Sequence, residues 1–142
     1  MLKKQEKYNI AVIGATGIVG ESLLSILNDR SFPINNIHAV ASQKSKGAKV
    51  KFGEQLLTVK ALDEFDFSSI DIAFFSAGGS ISKEYAPIAA SQGCVVIDNT
   101  SEFRYVDNIP LIVPEVNPSD IEKYKETNII ANHNCSTIQM LV

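Results

Sequence analysis

Cysteine is scarce in this chain: Cys94 and Cys135 are the only two. Two thiols make no disulfide framework, and reduced thiols suit a cytoplasmic protein. No apolar run approaches membrane-spanning length. The charged start, Met1-Leu2-Lys3-Lys4-Gln5-Glu6-Lys7, is not followed by the apolar core of a signal peptide. Positive charge is not in excess either. The net charge of −3 gives no reason to expect nucleic acid or a membrane surface as a partner. Internal repeats and low-complexity segments are missing as well. What is there is ordinary for a globular domain: 142 residues, 45% hydrophobic and 20% charged, enough for one domain with its own core.

Apolar runs alternate with helix-like segments. Tyr8 to Ile13 reads as a buried parallel strand. From Gly17 to about Leu27, residues Val19, Leu23, Leu24 and Leu27 recur at helical spacing. Ile37 to Ala41 reads as a second strand. Val50 to Phe52 and Leu56 to Val59 flank Gly53-Glu54-Gln55 as a hairpin. Ile70 to Phe75 and Cys94 to Ile97 read as strands on either side of a helix from about Ile81 to Ser91. Asn117-Pro118 reads as an N-cap and first helical residue of a short helix toward Lys125. Ile129 to Ala131 is a last strand. Strand and helix in repeated alternation predict an α/β fold, a doubly wound, mostly parallel Rossmann-type sheet with helices on both faces. Such sheets bind ligands beyond the carboxyl ends of their strands. Informative segments follow Ile13, Ala41, Phe75 and Ala131, all at such ends.

After the first strand comes Gly14-Ala15-Thr16-Gly17-Ile18-Val19-Gly20. Glycines there let backbone approach a pyrophosphate, and a helix start offers N–H donors to the anion. The spacing is G-x-x-G-x-x-G rather than the usual G-x-G-x-x-G. The bland alternative is a turn whose glycines serve sterics alone. The second strand ends in Val40-Ala41-Ser42-Gln43-Lys44-Ser45-Lys46-Gly47. An NAD-preferring site usually places an acid there for the ribose hydroxyls. Here there is none, and Ser42, Lys44 and Ser45 could hold a 2′-phosphate, which predicts NADP over NAD. The alternative is a solvated polar loop.

Cys135 follows the apolar Ile129-Ile130-Ala131 and opens a helical turn among Asn134, Ser136 and Thr137. A thiol there is well placed to ionise and act as a nucleophile. Cys94, in Gly93-Cys94-Val95-Val96-Ile97, reads as an inert buried hydrophobe. His133 lies too close along the strand end to serve as a base, and His38 reads as structural or exposed. In Asp98-Asn99-Thr100-Ser101-Glu102-Phe103-Arg104-Tyr105, Arg104 could grip a carboxylate or phosphate bidentately, or pair with Glu102 or Asp107. No set of residues suggests a metal site.

Five blocks in order resemble the N-terminal cofactor domain of the aspartate-semialdehyde dehydrogenases: 14–20, Ser76-Ala77-Gly78-Gly79-Ser80-Ile81-Ser82-Lys83, 96–104, Val113-Pro114-Glu115-Val116-Asn117, and Asn134-Cys135-Ser136-Thr137-Ile138-Gln139-Met140. The resemblance runs from about Tyr8 to Val142. N-acetyl-glutamyl-phosphate reductases share the plan but are less similar around the cysteine and arginine. The resemblance implies NADP-dependent reductive dephosphorylation of L-4-aspartyl phosphate to L-aspartate 4-semialdehyde through a cysteine thioester, in lysine, threonine and methionine biosynthesis.

By that resemblance Cys135 matches the catalytic cysteine, Arg104 the phosphate-binding arginine, and Asn134 a substrate-site asparagine. Gly14, Thr16, Gly17, Ile18 and Val19 match the pyrophosphate turn. Ser42 and Ser45, with Lys44, match the 2′-phosphate loop, and Ser76, Ala77 and Gly78 a second cofactor segment. Lys44 stands where many members have arginine, His133 where proline is usual, and Lys46 where a small residue is usual. The resemblance also implies a second domain that supplies an acid/base histidine and most of a homodimer or homotetramer contact. Residues 1–142 are therefore expected to be the NADP-binding domain alone, binding cofactor without turnover. The alternatives are an isolated nucleotide-binding module or the corresponding domain of an N-acetyl-glutamyl-phosphate reductase.

Overall fold

The structure, a computed structural model, describes residues 2–142. Its element order is β1 (Tyr8–Ile13), α1 (Ile18–Asp29), β2 (Ile34–Ala41), β3 (Lys49–Phe52), β4 (Gln55–Thr58), β5 (Lys60–Ala61), β6 (Ile72–Phe75), α2 (Gly79–Ser91), β7 (Val95–Asp98), β8 (Leu111–Ile112), β9 (Ile129–Asn132) and α3 (Cys135–Leu141). Short 3₁₀ segments cover Gln43–Ser45, Leu62–Glu64 and Pro118–Glu126.

Seven strands form one sheet in the order β5-β2-β1-β6-β7-β9-β8, and every pairing in it is parallel. The antiparallel hairpin β3–β4 stands apart as a second sheet. Strand alternation sorts the core into two layers. Ile10 and Val12 of β1 face α1, packing in one cluster with Leu24, Leu27, Ala39 and Ala41. Ala11 and Ile13 face the other way, in a cluster with Phe67, Phe75, Val96 and the Ala86–Ala89 face of α2. Phe75 stacks near Phe67 with ring centroids 6.2 Å apart, and Phe65 meets Phe67 edge-on at 5.0 Å. Both faces of the sheet are thus covered by helix, as doubly wound folds require.

Several local expectations change. β2 begins at Ile34, three residues earlier than its apolar run suggested, and pairs with β1 along its length. β5 and β8 have two residues each and leave no periodic trace in the sequence. Cys94 lies just before β7 rather than in it. The segment after Asn117 is a 3₁₀ helix with Asn117 at its N-cap and Pro118 first, but the Asn117 side chain makes no capping bond. Its side chain instead accepts from the Val113 N–H at 2.8 Å and donates to the Leu111 carbonyl and Asp120 at 3.0 Å each. An asparagine that closes its own turn this way competes with capping.

The chain runs from β1 outward to β2 and β5, then returns to β6 on the other side of β1. The strand order therefore reverses between β1 and β6. A crevice opens at their carboxyl ends, where the turns after Ile13 and Phe75 meet.

Candidate cofactor and thiol site

Gly14 leaves β1 with φ +87°, a conformation L side chains rarely adopt. Its N–H and that of Ala15 both donate to the Val40 carbonyl, at 2.9 and 3.1 Å. A Cβ on Gly14 would lie 2.9 Å from the Ser76 backbone, so the two turns touch. A Cβ on Gly20 would lie 2.1 Å from the Gly14 carbonyl oxygen, so the helix can sit this close only with glycine. Gly17 differs: a Cβ there would meet only the Gly14 oxygen at 3.4 Å. The sterically required glycines are therefore the first and third of the motif.

Gly17 is the N-cap of α1 and brings no side-chain cap. The first amides of the helix, those of Ile18, Val19 and Gly20, have no acceptor within it. α2 repeats the arrangement: its N-cap is Gly78, at φ +98°, again without a side-chain cap. Ser76 holds the second turn to the first, its N–H and hydroxyl donating to the Ile13 carbonyl at 2.9 and 3.0 Å. Two uncapped helix starts thus converge on one crevice, a donor set suited to an anion.

A hollow of about 330 Å³ lies there. It brings together Gly14, Thr16, Gly17, Ser42, Ser76 and Ala77 of the residues expected from sequence. Leu62 and Ile81 also line it and were not foreseen as site residues. Ile81 lay inside a quoted block, whereas nothing near Leu62 signals a site. The Ile18 side chain is exposed, and Val19 lines a neighbouring groove with Phe74 and Ile97. Neither Ile18 nor Val19 lines the hollow itself. Gly78 is exposed at the mouth of α2.

The loop after β2 departs from the sequence reading in one respect. The strand end carries no acid, but Asp63 and Glu64 arrive beside it from twenty residues on. Gln43 Nε2 donates to Asp63 at 3.1 Å and to Glu64 at 2.7 Å. Lys46 pairs with Glu64 at 2.5 Å. That bond, with the one from Gln43, holds the Glu64 carboxyl below its ordinary range. Lys44 is exposed and enters none of the ion pairs among the described residues. Ser45 is half-buried.

Farther along the carboxyl edge, after β9, Asn134 caps α3, its Oδ1 accepting from the Ser136 N–H at 2.9 Å. Cys135 is the first residue of that helix and is exposed. Arg104 pairs with neither Glu102 nor Asp107 among the described ion pairs. Its Nε donates to the Asn132 carbonyl at 2.9 Å and one Nη to the Asn99 carbonyl at 3.3 Å. Asn132 in turn donates to Asn99 Oδ1 at 2.7 Å. A guanidinium has five N–H groups, so three are left over. Cys94 is fully buried, and burial, followed by the nearby Asp71, pushes its thiol up to about 12. His38 sits against Phe65 with Nδ1 3.1 Å from Lys60 Nζ, remote from Cys135 along the sheet order. Burial and the Lys60 charge lower its pKa from 6.5.

Parallel sheet, switch-point crevice and glycine turn together define a Rossmann-type dinucleotide-binding domain. The family model for the semialdehyde dehydrogenase NAD-binding domain matches residues 9–124, and the chain belongs to that family. Its nucleotide is accordingly NAD(P). It is 53% identical over 137 residues to aspartate-semialdehyde dehydrogenase 2 of Vibrio cholerae, covering 96% of this chain and 41% of the relative. It is 56% identical over 134 residues to the aspartate-semialdehyde dehydrogenase of Legionella pneumophila, covering 94% and 39%. The crystal structure of aspartate semialdehyde dehydrogenase II from Vibrio cholerae, complexed with ASA, superposes with a TM-score of 0.93 at 52% identity, over 95% of this chain and 44% of that one. The enzyme from Candida albicans, solved with NADP, superposes at 0.78 with 26% identity, over 93% and 44%. The chain thus spans about two-fifths of the length of the curated relatives it matches.

Proposed function

We propose that this chain is the NADP-binding domain of an aspartate-semialdehyde dehydrogenase, carrying the nucleophile, Cys135, and the phosphate-binding arginine, Arg104. The observation that carries this reading is the placement of both at the carboxyl edge that also bears the glycine turn. The residues fit a dinucleotide: two glycines clear the backbone's approach, two uncapped helix starts supply N–H donors, and the hollow has an apolar wall in Leu62 and Ile81. Thr16, Gly17 and the amides of Ile18 and Val19 would hold the pyrophosphate, with Ser76, Ala77 and Gly78 opposite. Ser42, Lys44 and Ser45 would hold the 2′-phosphate. The unpaired Lys44 supports NADP over NAD, because Lys46 is already neutralised by Glu64.

The chemistry follows from the thiol. The Cys135 thiolate adds to the aldehyde carbon of L-aspartate 4-semialdehyde, forming a thiohemiacetal. The NADP held by the glycine turn and the Ser42–Ser45 loop would supply the hydride exchange that this oxidation, and its reversal, require. The acyl group is left on Cys135 as a thioester, and inorganic phosphate displaces the thiolate to give L-4-aspartyl phosphate. Biosynthesis toward lysine, threonine and methionine runs these steps in reverse. Sulfur suits the role because it is both a good nucleophile and a good leaving group from an acyl carbon. Arg104 would grip the phosphate with its three remaining N–H groups, and Asn134 would orient the substrate while capping α3.

Residues 1–142 would bind cofactor without turnover. The acid/base histidine and most of the contact of a homodimer or homotetramer would come from a second domain in the length that relatives carry further. The two free thiols suit a reducing compartment, and we place the protein in the cytoplasm. The test is phosphate-dependent reduction of NADP with L-aspartate 4-semialdehyde. We expect none from the 142-residue chain, turnover from a polypeptide extended to the relatives' length, and none from its Cys135→Ala variant. Turnover surviving Cys135→Ala overturns the assignment.

A further inference from the structure

Asp98 is the one acidic side chain fully buried among the described residues, at the carboxyl end of β7. It enters none of the ion pairs there. A buried carboxylate without a cation needs a full set of donors. Oδ1 accepts from Ser82 Oγ of α2 at 2.6 Å and from the Thr100 N–H at 3.3 Å. Oδ2 accepts from Thr100 Oγ1 at 2.7 Å. Thr100 Oγ1 in turn accepts from the Glu102 N–H at 3.2 Å. These bonds fix the turn from 99 to 102. The backbone of that turn holds Arg104: the Asn99 carbonyl accepts from its Nη, and the Asn99 side chain accepts from Asn132, whose carbonyl holds Arg104 Nε.

We propose that Asp98 is a positioning residue for the Arg104 anion site. Through Thr100 it sets the turn that keeps the guanidinium docked on the Asn99 and Asn132 carbonyls, leaving its other N–H groups free for phosphate. This rests on the reading of Arg104 as the phosphate-binding residue. Ser82 ties the same carboxylate to the first turn of α2, so the cofactor-side helix and the arginine turn share one anchor. An aliphatic side chain at 98 would keep the strand but lose the anchor, and an amide would lose the oxygen that accepts from Thr100 Oγ1.

The test uses the 142-residue chain, inorganic phosphate as the probe, and NMR of the Arg104 Nε–H. Wild type is expected to show a slowly exchanging Nε–H that shifts on phosphate addition. In Asp98→Asn and Thr100→Val, exchange of that proton should accelerate about tenfold and the phosphate dissociation constant should rise about tenfold. NADP-induced shifts at residues 14–20 should persist, and Thr100→Ser should restore the wild-type exchange. If Asp98→Asn fails to fold, Thr100→Val and Thr100→Ser decide. An unchanged Arg104 Nε–H in the folded variants overturns the positioning role. So does equal loss of the Arg104 and residue 14–20 signals, which marks a general structural defect. No phosphate shift in wild type overturns the anion reading of Arg104, and the proposal falls with it. Nε–H exchange separates these two failures.

Discussion

The two cysteines mark the two edges of the sheet, and the edges are built on opposite terms. Cys94 immediately precedes β7, while Cys135 follows the neighbouring parallel strand β9. At the amino edge several polar groups bond one another, although the buried Asn128 Oδ1 has no partner. Asn9 Oδ1 accepts from Asn35 and Asn36 at 2.9 and 3.0 Å. Asp71 accepts from the Asn9 N–H at 2.7 Å and from Gln5 at 3.0 Å, and Gln92 takes the Phe67 N–H at 2.9 Å. At the carboxyl edge two helices start without caps, Arg104 keeps N–H groups in hand, and a thiol is exposed. Open donors are what a binding edge needs, since each would otherwise be spent on the fold.

The largest effect separating the edges is thiol reactivity. Iodoacetamide at pH 8 is expected to alkylate Cys135 at least about a thousandfold faster than Cys94, since only thiolate reacts and Cys94 is buried with its pKa near 12. Peptide mass spectrometry reads this, and comparable labelling of Cys94 in folded protein breaks the comparison. Next is Gly14→Ala, which meets both a positive φ and the Ser76 backbone at 2.9 Å. It should cost about 3 kcal/mol and abolish NADP binding. Asp71→Ala at the amino edge should cost about 2 kcal/mol in chemical denaturation by stranding the Asn9 amide. Its NADP affinity should stay within about twofold, because no open donor is touched; a large loss would mean the edges are not separable.

The smallest effect is pH-dependent. The folded protein holds His38 below its ordinary pKa, so the unfolded chain binds more protons near pH 6. Stability should fall as pH drops through about 6.5 toward the lowered folded value. His38→Phe should flatten that fall, seen as a smaller difference in Tm between pH 7.5 and 5.5. An unchanged difference would show that His38 does not titrate with folding.

Sequence periodicity revealed what is repeated and missed what is brief. β1, α1, the β3–β4 hairpin and α2 were legible because apolar spacing or glycine punctuation runs through each of them. β5 and β8 were not, because two-residue strands exist only by pairing with a neighbour. Asn117 was legible as the residue that opens its segment, but its bonds were not, because capping and turn closure demand the same side chain and only tertiary structure chooses between them. At the carboxyl edge the glycine turn was legible, but the division of labour within it was not. That Gly14 and Gly20 are steric necessities while Gly17 is free depends on how Ser76 and the helix approach. The absence of an acid after β2 was read correctly along the chain. Asp63 and Glu64, which fold back beside that loop, could not be seen there.

The account stands most directly on the cofactor preference of the carboxyl edge. Titrating NADP and NAD into the same 142-residue chain should give a dissociation constant at least about tenfold lower for NADP, a gap that Lys44→Ala largely closes. Equal affinities in the unmodified chain would contradict the assignment of the loop at Ser42, Lys44 and Ser45.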